Sequence, residues 1–202
     1  MRLRHAILCI VVSLAPQMHA GTLPAAVDGV LDLRGIDLDS RPVPLTGFWR
    51  CRQLAPETGE WHPARVPALF SELGLPGEGM VEFALTLQVD PRIDILGFTV
   101  PVLHSAHVLS LDGRPVLRRG LPGPTARETM HHWQPGTVIS PISNGRVELS
   151  LRLANWGYYK GGIPSPLLVG TSGVITARET ARNRYEAFLT GSLIMNGLYH
   201  LG

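Results

Sequence analysis

Cysteine is scarce in this chain of 202 residues, which has two, and that excludes a disulfide framework as the source of its stability. Cys9 falls in an apolar leader-like segment, so Cys51 is left without an intrachain partner. It follows Trp49 in a strand-like run and reads as a buried, inert thiol. Charge is scarce too, at 17% of residues where about a quarter is usual. No block of like charge is longer than Arg118-Arg119. Without Arg2 and Arg4 the net charge of +2 disappears, leaving 16 basic residues against 16 acidic ones. A surface for phosphate backbone is therefore missing, and nucleic acid is excluded as a partner. The chain also lacks a G-x-S-x-G elbow, a phosphate-binding glycine loop and an H-E-x-x-H pair. No residue can be given a catalytic role, so the chain is not expected to be an enzyme. Intrinsic disorder is excluded by the 45% hydrophobic content.

Eight histidines raise the question of a metal. His5 and His19 belong to the leader. His104 and His107, three apart on an expected strand, point to opposite faces. The adjacent His131 and His132 diverge as well if extended. No Cys or carboxylate at ligand spacing joins them, so neither a metal site nor a cofactor is expected.

What is present begins with an address. Arg2, Arg4 and His5 precede a run from Ala6 to Ala15 that is apolar except for Ser13. Pro16 breaks it, and Met18-His19-Ala20 ends on a small residue. Residues 1–20 thus read as a secretory signal, too short to span a bilayer. A buried N-terminal helix is the alternative.

Residues 21–171 read as one all-β domain. Val81, Phe83, Leu85, Leu87 and Val89 alternate with polar or small residues, as do Val147, Leu149, Leu151 and Leu153. Period two with one apolar face marks half-buried antiparallel strands. Asp112-Gly113 and Asn144-Gly145 sit where two-residue hairpin turns belong. The stretch Phe98–Leu103 is more continuously apolar, as a central strand would be. Short strands with Gly/Pro-rich connections predict a sandwich.

Residues 172–186 form a helix-compatible linker of mixed charge, with a capping-box pattern at Thr176 and Glu179. Residues 187–202 carry no formal charge. At ~1.5 Å per residue they would reach about 24 Å, short of the roughly 30 Å hydrocarbon core. Apolar side chains spread round most of this helix, so it reads as the start of a transmembrane helix, interrupted before its end. A buried helix of the domain is the alternative.

The order of these segments resembles bacterial seven-transmembrane receptors with diverse intracellular signalling modules. Val30-Leu31-Asp32-Leu33-Arg34-Gly35 is similar to their opening strand, and Pro44-Leu45-Thr46-Gly47-Phe48-Trp49 to an L-x-G-x-W segment also seen in sugar-binding domains of glycoside hydrolases. Val66-Pro67, the strand and turn from Ser105 to Gly113, Ala154-Asn155-Trp156, Gly161-Gly162-Ile163 and Leu168-Val169-Gly170 follow in the family's order. The run Leu193-Ile194-Met195-Asn196-Gly197-Leu198-Tyr199-His200-Leu201 is similar to the start of its first membrane helix. Gly79-Met80-Val81-Glu82-Phe83 departs from the family's G-x-x-T-Y.

The resemblance implies a galactose-binding-like jelly roll, a fold that commonly holds a structural calcium. It implies a location at the inner membrane with the sandwich in the periplasm. The chain would be the extracytoplasmic sensory region of a receptor whose remaining helices and output module, a kinase or cyclase, are absent. The alternatives are an exported carbohydrate-binding accessory domain of a glycoside hydrolase-like enzyme, or a non-functional truncated product.

Aromatic residues outside the alternating strands nominate the ligand site. Trp133, Trp156, Tyr158 and Tyr159 lie in connections, where a rigid sandwich tends to carry function. Their faces can stack on sugar rings, while Asn155, Lys160 and Arg114 could bond hydroxyls. The plainer alternative has the aromatics covering the open edge of the sandwich or packing on membrane helices. Expected partners are an unidentified small molecule, with a carbohydrate as candidate, and a lipid bilayer. A homodimer stays open.

Overall fold

The computed structural model describes residues 23–199. The expected leader and the final residues of the uncharged C-terminal run lie outside the described residues. Thirteen strands are described: β1 (Val30–Asp32), β2 (Val43–Leu45), β3 (Gly47–Ala55), β4 (His62–Val66), β5 (Ala68–Leu69), β6 (Gly79–Gln88), β7 (Ile95–Val100), β8 (Ala106–Leu111), β9 (Arg114–Arg119), β10 (Gly136–Pro141), β11 (Arg146–Asn155), β12 (Gly162–Ile163) and β13 (Leu167–Thr171). A single helix, α1 (Ser172–Tyr199), follows.

The strands form a jelly-roll-like sandwich. The larger sheet runs β4-β3-β6-β11-β8-β9. β3 pairs with the first half of β6, and β1, parallel to β6, takes the same edge along its second half. The smaller sheet runs β10-β7-β13-β2, and β12 pairs with β5. The core lies between the two sheets. Val81, Phe83, Leu85 and Leu87 of β6 are buried, as are Val147, Leu149, Leu151 and Leu153 of β11. Leu96, Phe98 and Val100 of β7, with Leu167 and Val169 of β13, face them from the smaller sheet. The Phe70 and Phe83 rings stack at 6.5 Å between centroids. Burying each of these large side chains contributes about 1.5–3 kcal/mol. Trp49 and Cys51 are fully buried in this core, and burial pushes the Cys51 thiol up to about 12. Trp61 sits at the edge under the Arg50 and Arg52 guanidinium groups.

Both expected hairpin turns are present. Asp112-Gly113 joins β8 to β9 and Asn144-Gly145 precedes β11, all four residues at positive φ. That is the backbone of a type I′ turn, which matches the strand twist. The central apolar strand ends earlier than its sequence suggests. β7 stops at Val100 because Pro101 cannot continue the ladder.

The outward face of β6 differs from the solvated face its alternation predicts. Glu82 and Thr86 are buried there, at 5% and 4% exposure. β6 is interior to the sheet, so long side chains from its neighbours fold over it. The Arg52 and Arg152 side chains both reach Glu82.

β13 passes into α1 at Ser172 without a loop, so Thr176 lies inside the helix and does not cap it. Glu179 instead accepts a hydrogen bond from Thr137 Oγ1 at 3.0 Å and pairs with Arg182. Ile175 is fully buried against the outer face of the smaller sheet. Gly97 makes that seat: a Cβ there would lie 2.7 Å from the Ile175 Cβ. From Asn183 to Met195 every residue of α1 is exposed, including Phe188, Leu193, Ile194 and Met195. The helix is continuous where a linker and a membrane segment were expected to meet. Among the described residues no helix is long and apolar enough to cross a membrane.

Candidate ligand-binding site

Three connections meet at one end of the sandwich. The β7–β8 connection brings His104, the β9–β10 connection brings His131, His132 and Trp133, and the β11–β12 connection brings Trp156, Tyr158, Tyr159 and Lys160. The rings of His104, Trp133, Tyr158 and Tyr159 form a continuous patch. His104 stacks on Tyr158 at 4.8 Å between centroids and meets Trp133 edge-on at 5.7 Å. Trp133 and Tyr158 are 6.2 Å apart, and Tyr158 and Tyr159 are 5.1 Å apart. The Lys160 ammonium sits 5.1 Å over the Tyr159 ring. Trp133 is 56% exposed and Tyr159 77%. A shallow groove of about 230 Å³ is lined by His104, His131, Trp133, Trp156, Gly157 and Tyr158.

Buried polar groups fix the loops in place. Asn155 is fully buried, and its Nδ2 donates to the carbonyls of Gly77 and Tyr158, both at 2.7 Å. It holds the turn that presents Tyr158. That placement corrects its expected contact with ligand hydroxyls, because solvent does not reach it. Trp156 is half-buried and its indole N–H donates to the Gly123 carbonyl at 3.2 Å. His131 Nε2 lies 3.2 Å from the Trp156 carbonyl. Thr129 Oγ1 closes the same loop, accepting from the Gly123 N–H with the Gly123 and Thr125 carbonyls both in reach of its one proton.

Beneath the patch His107 is buried, with Nδ1 3.0 Å from the Ser105 carbonyl. Burial pushes its imidazole below the usual histidine range, and the Arg119 and His132 charges add to that, against the Ser105 bond. His104 stands at φ +52°, in the left-handed region, which turns its ring onto Tyr158. The groove lining holds no carboxylate and no nucleophile. It offers flat apolar faces with imidazole and indole polar groups at their edges, a surface suited to the C–H face and hydroxyl rim of a polyol.

No family model and no curated protein matches the chain. Solved structures similar to it include the β-glucuronidase of an uncultured Clostridium species, at 12% identity over 65% of this chain and 29% of that one, with a TM-score of 0.50. They also include the Ruminococcus gnavus β-glucuronidase, at 9% identity over 64% and 29%, with a TM-score of 0.49. The GH2 β-galacturonidase of Eisenbergiella tayi matches at 13% over 61% and 23%, with a TM-score of 0.45. The likeness is one of fold. This chain spans under a third of the length of these enzymes.

Of the residues nominated from sequence, Trp133, Trp156 and Tyr158 come together in the groove, and Lys160 flanks it over Tyr159. Arg114 is not brought to it. Arg119, at the other end of β9, marks the patch end, pairing with His107 and donating through Nε to the Pro135 carbonyl at 3.2 Å. Five residue steps of about 3.3 Å each lead from one arginine to the other, so Arg114 lies roughly 17 Å from the patch end. His104 and His131 are the lining residues that sequence reasoning missed. A lone histidine in a short connection carries no local signal of the rings that will meet it.

Proposed function

We propose that the chain is an extracytoplasmic saccharide-binding domain that senses its ligand for a membrane signalling protein. The observation that carries this reading is the patch of four rings from three loops, with Trp133 and Tyr159 standing exposed at one end of the sandwich. Trp133, Tyr158 and Trp156 would stack on the sugar, with His104, His131 and Lys160 bonding its hydroxyls. A route to α1 supports the sensory part. Pro101 and Val102, just before His104, and Pro135, just after Trp133, line a groove of about 530 Å³ together with Arg178, Glu179, Arg182 and Glu186 of α1. A ligand that favours one arrangement of these loops would thus bias the position of the helix. The uncharged run of α1 after Glu186, with Phe188, Leu193, Ile194 and Met195 exposed, supports a seat for the helix in lipid or among further helices.

Two experiments test the proposal. The full chain is assayed for retention on chitin, cellulose and xylan and for binding to a panel of soluble oligosaccharides; binding to none of them removes the saccharide reading. Liposome flotation tests the membrane part, and a chain that stays with the soluble fraction refutes it. Saccharide binding without flotation favours the second reading, an exported accessory domain of a glycoside hydrolase. The fold shared with a β-glucuronidase speaks for that second reading.

A further inference from the structure

On the outer face of the larger sheet a second groove, of about 330 Å³, is separate from the aromatic patch. Its floor is a row across four strands. Glu82 of β6, Arg152 of β11, Val108 of β8 and Arg118 of β9 are directly paired neighbours, so their side chains share one face. Glu82 is 5% exposed and its carboxylate is saturated. Oε2 accepts from Arg52 Nε at 2.9 Å and Nη2 at 2.6 Å. Oε1 accepts from Ser150 Oγ at 2.7 Å and from Arg152 Nε at 3.2 Å. The single charge of Glu82 faces the two of Arg52 and Arg152, so one positive charge is in excess there.

That leaves two cations on the groove. The Arg152 side chain is 54% exposed and meets Glu82 only through Nε, so its Nη groups are not used in this contact. Arg118 is exposed, and its side chain has no hydrogen bond or ion pair among the described residues. The two lie two strands apart across Val108, about 10 Å at the backbone. Both border the same groove. The Ser110 hydroxyl lines it too, and Ser150, having given its proton to Glu82, can accept there. Met80, Leu121 and Pro122 wall it with apolar surface.

We infer that this groove binds a small hydroxylated carboxylate of the sugar-acid class. Its carboxylate is held by Arg118 and Arg152, its hydroxyls by Ser110 and Ser150, and its carbon chain by the Met80 and Leu121 wall. Glu82 is a positioning residue, which anchors Arg152 through Nε and keeps the guanidinium aimed along the floor. The volume suits a six-carbon acid, near the lower end of the roughly 300–1,000 Å³ usual for ligand sites. A planar carboxylate matches guanidinium donors better than a neutral sugar does.

The test is isothermal titration of the full chain with sodium gluconate, with glucose as the neutral analogue and inorganic phosphate as a bare oxyanion. Gluconate binds saturably, and Arg118→Gln weakens it about tenfold, because one charge-assisted pair is lost. Arg118 is exposed, so the variant folds as the wild type does. Arg65→Gln, which removes an exposed arginine elsewhere on the same sheet, leaves gluconate affinity unchanged. The glucose and gluconate titrations are repeated on Trp133→Ala, whose aromatic patch is impaired, so that the remaining signal reports this groove. The inference is overturned if gluconate does not bind, if glucose binds the Trp133→Ala protein as well as gluconate does, or if Arg118→Gln has no effect. Phosphate binding as tightly as gluconate overturns the sugar-acid assignment.

Discussion

Replacing Glu82 with Gln removes a charge from a nearly enclosed place on the larger sheet and leaves its shape intact. Four donor contacts converge on the carboxylate, three of them from arginine nitrogens. A hydrogen bond to a charged group contributes about 1.5–3 kcal/mol when buried, and exposed ion pairs contribute about 0–1 kcal/mol. Arg52 and Arg152 are 31% and 54% exposed in their side chains, so both can regain water when the charge goes. Gln keeps one acceptor oxygen but turns an amide N–H₂ toward donors. The expected net loss is about 2 kcal/mol at pH 7. For a domain of this size that is a fall in Tm of roughly 4–8 °C. In urea it is a fall in midpoint of about 1 M with the slope unchanged.

The sign of the pH dependence follows from the same contacts. Burial pushes the Glu82 carboxyl up, but the bonds from Ser150, Arg52 and Arg152 outweigh it and hold the group below its ordinary value of 4.5. A depressed carboxyl stabilises the fold above its unfolded-state value and loses that contribution as pH falls through the folded-state value. The gap between wild type and Glu82→Gln is therefore constant above about pH 5 and closes in acid. Urea titrations at pH 7 and at stepwise lower pH measure it. An unchanged midpoint at pH 7, or a gap that widens in acid, refutes this account of Glu82.

Three further outcomes follow from particular contacts. Gly97→Val would drive a side chain into Ile175, so α1 leaves the sheet while the sandwich stays folded, read as faster amide exchange at residues 172–182; unaltered exchange would contradict that seat. The Cys51 thiol, raised to about 12 by burial, stays unreactive toward a thiol reagent at pH 8 until denaturant unfolds the chain; rapid labelling of native protein would show it accessible. His107, buried and held below its ordinary value of 6.5, favours the neutral form in the fold, so its contribution is complete above that pH and falls as pH drops below it. His107→Gln flattens the stability profile in that window, and an unaltered slope there would assign it to another group.

The strands that sequence displayed best are those buried on one face. β6 and β11 alternate cleanly because their inward residues meet the smaller sheet. What alternation could not show is the burial of Glu82, covered by Arg52 and Arg152, and of Thr86, whose hydroxyl donates to Glu148, since these partners lie 30 or more residues away in the chain. Turn chemistry was legible at Asp112-Gly113 and Asn144-Gly145. The same signal at Asp28-Gly29 makes a turn that joins Val27 to Val30 by two backbone hydrogen bonds, and it was overlooked beside a three-residue strand. The helical stretch from residue 172 was legible, but the capping pattern at Thr176 is no cap, because β13 passes into α1 with no loop residue between them. In the site, Trp133, Trp156 and Tyr158 stood out as large rings among Gly and Pro. Asn155 looked equally suited but sits one residue earlier, where β11 is still buried. Arg114 was misplaced because sequence does not show which end of β9 faces the aromatic loops.

Trp133 is the residue on which saccharide binding by the aromatic patch turns. The most direct measurement is an intrinsic-fluorescence titration of wild type and Trp133→Ala with an oligosaccharide that the chain retains. Trp133 is exposed and its indole makes no hydrogen bond among the described residues, so the variant should melt at the wild-type temperature. Wild type gives a saturable signal and the variant binds at least about tenfold more weakly, through the loss of one stacking face. Equal affinity in the two proteins, with equal melting temperatures, would contradict it.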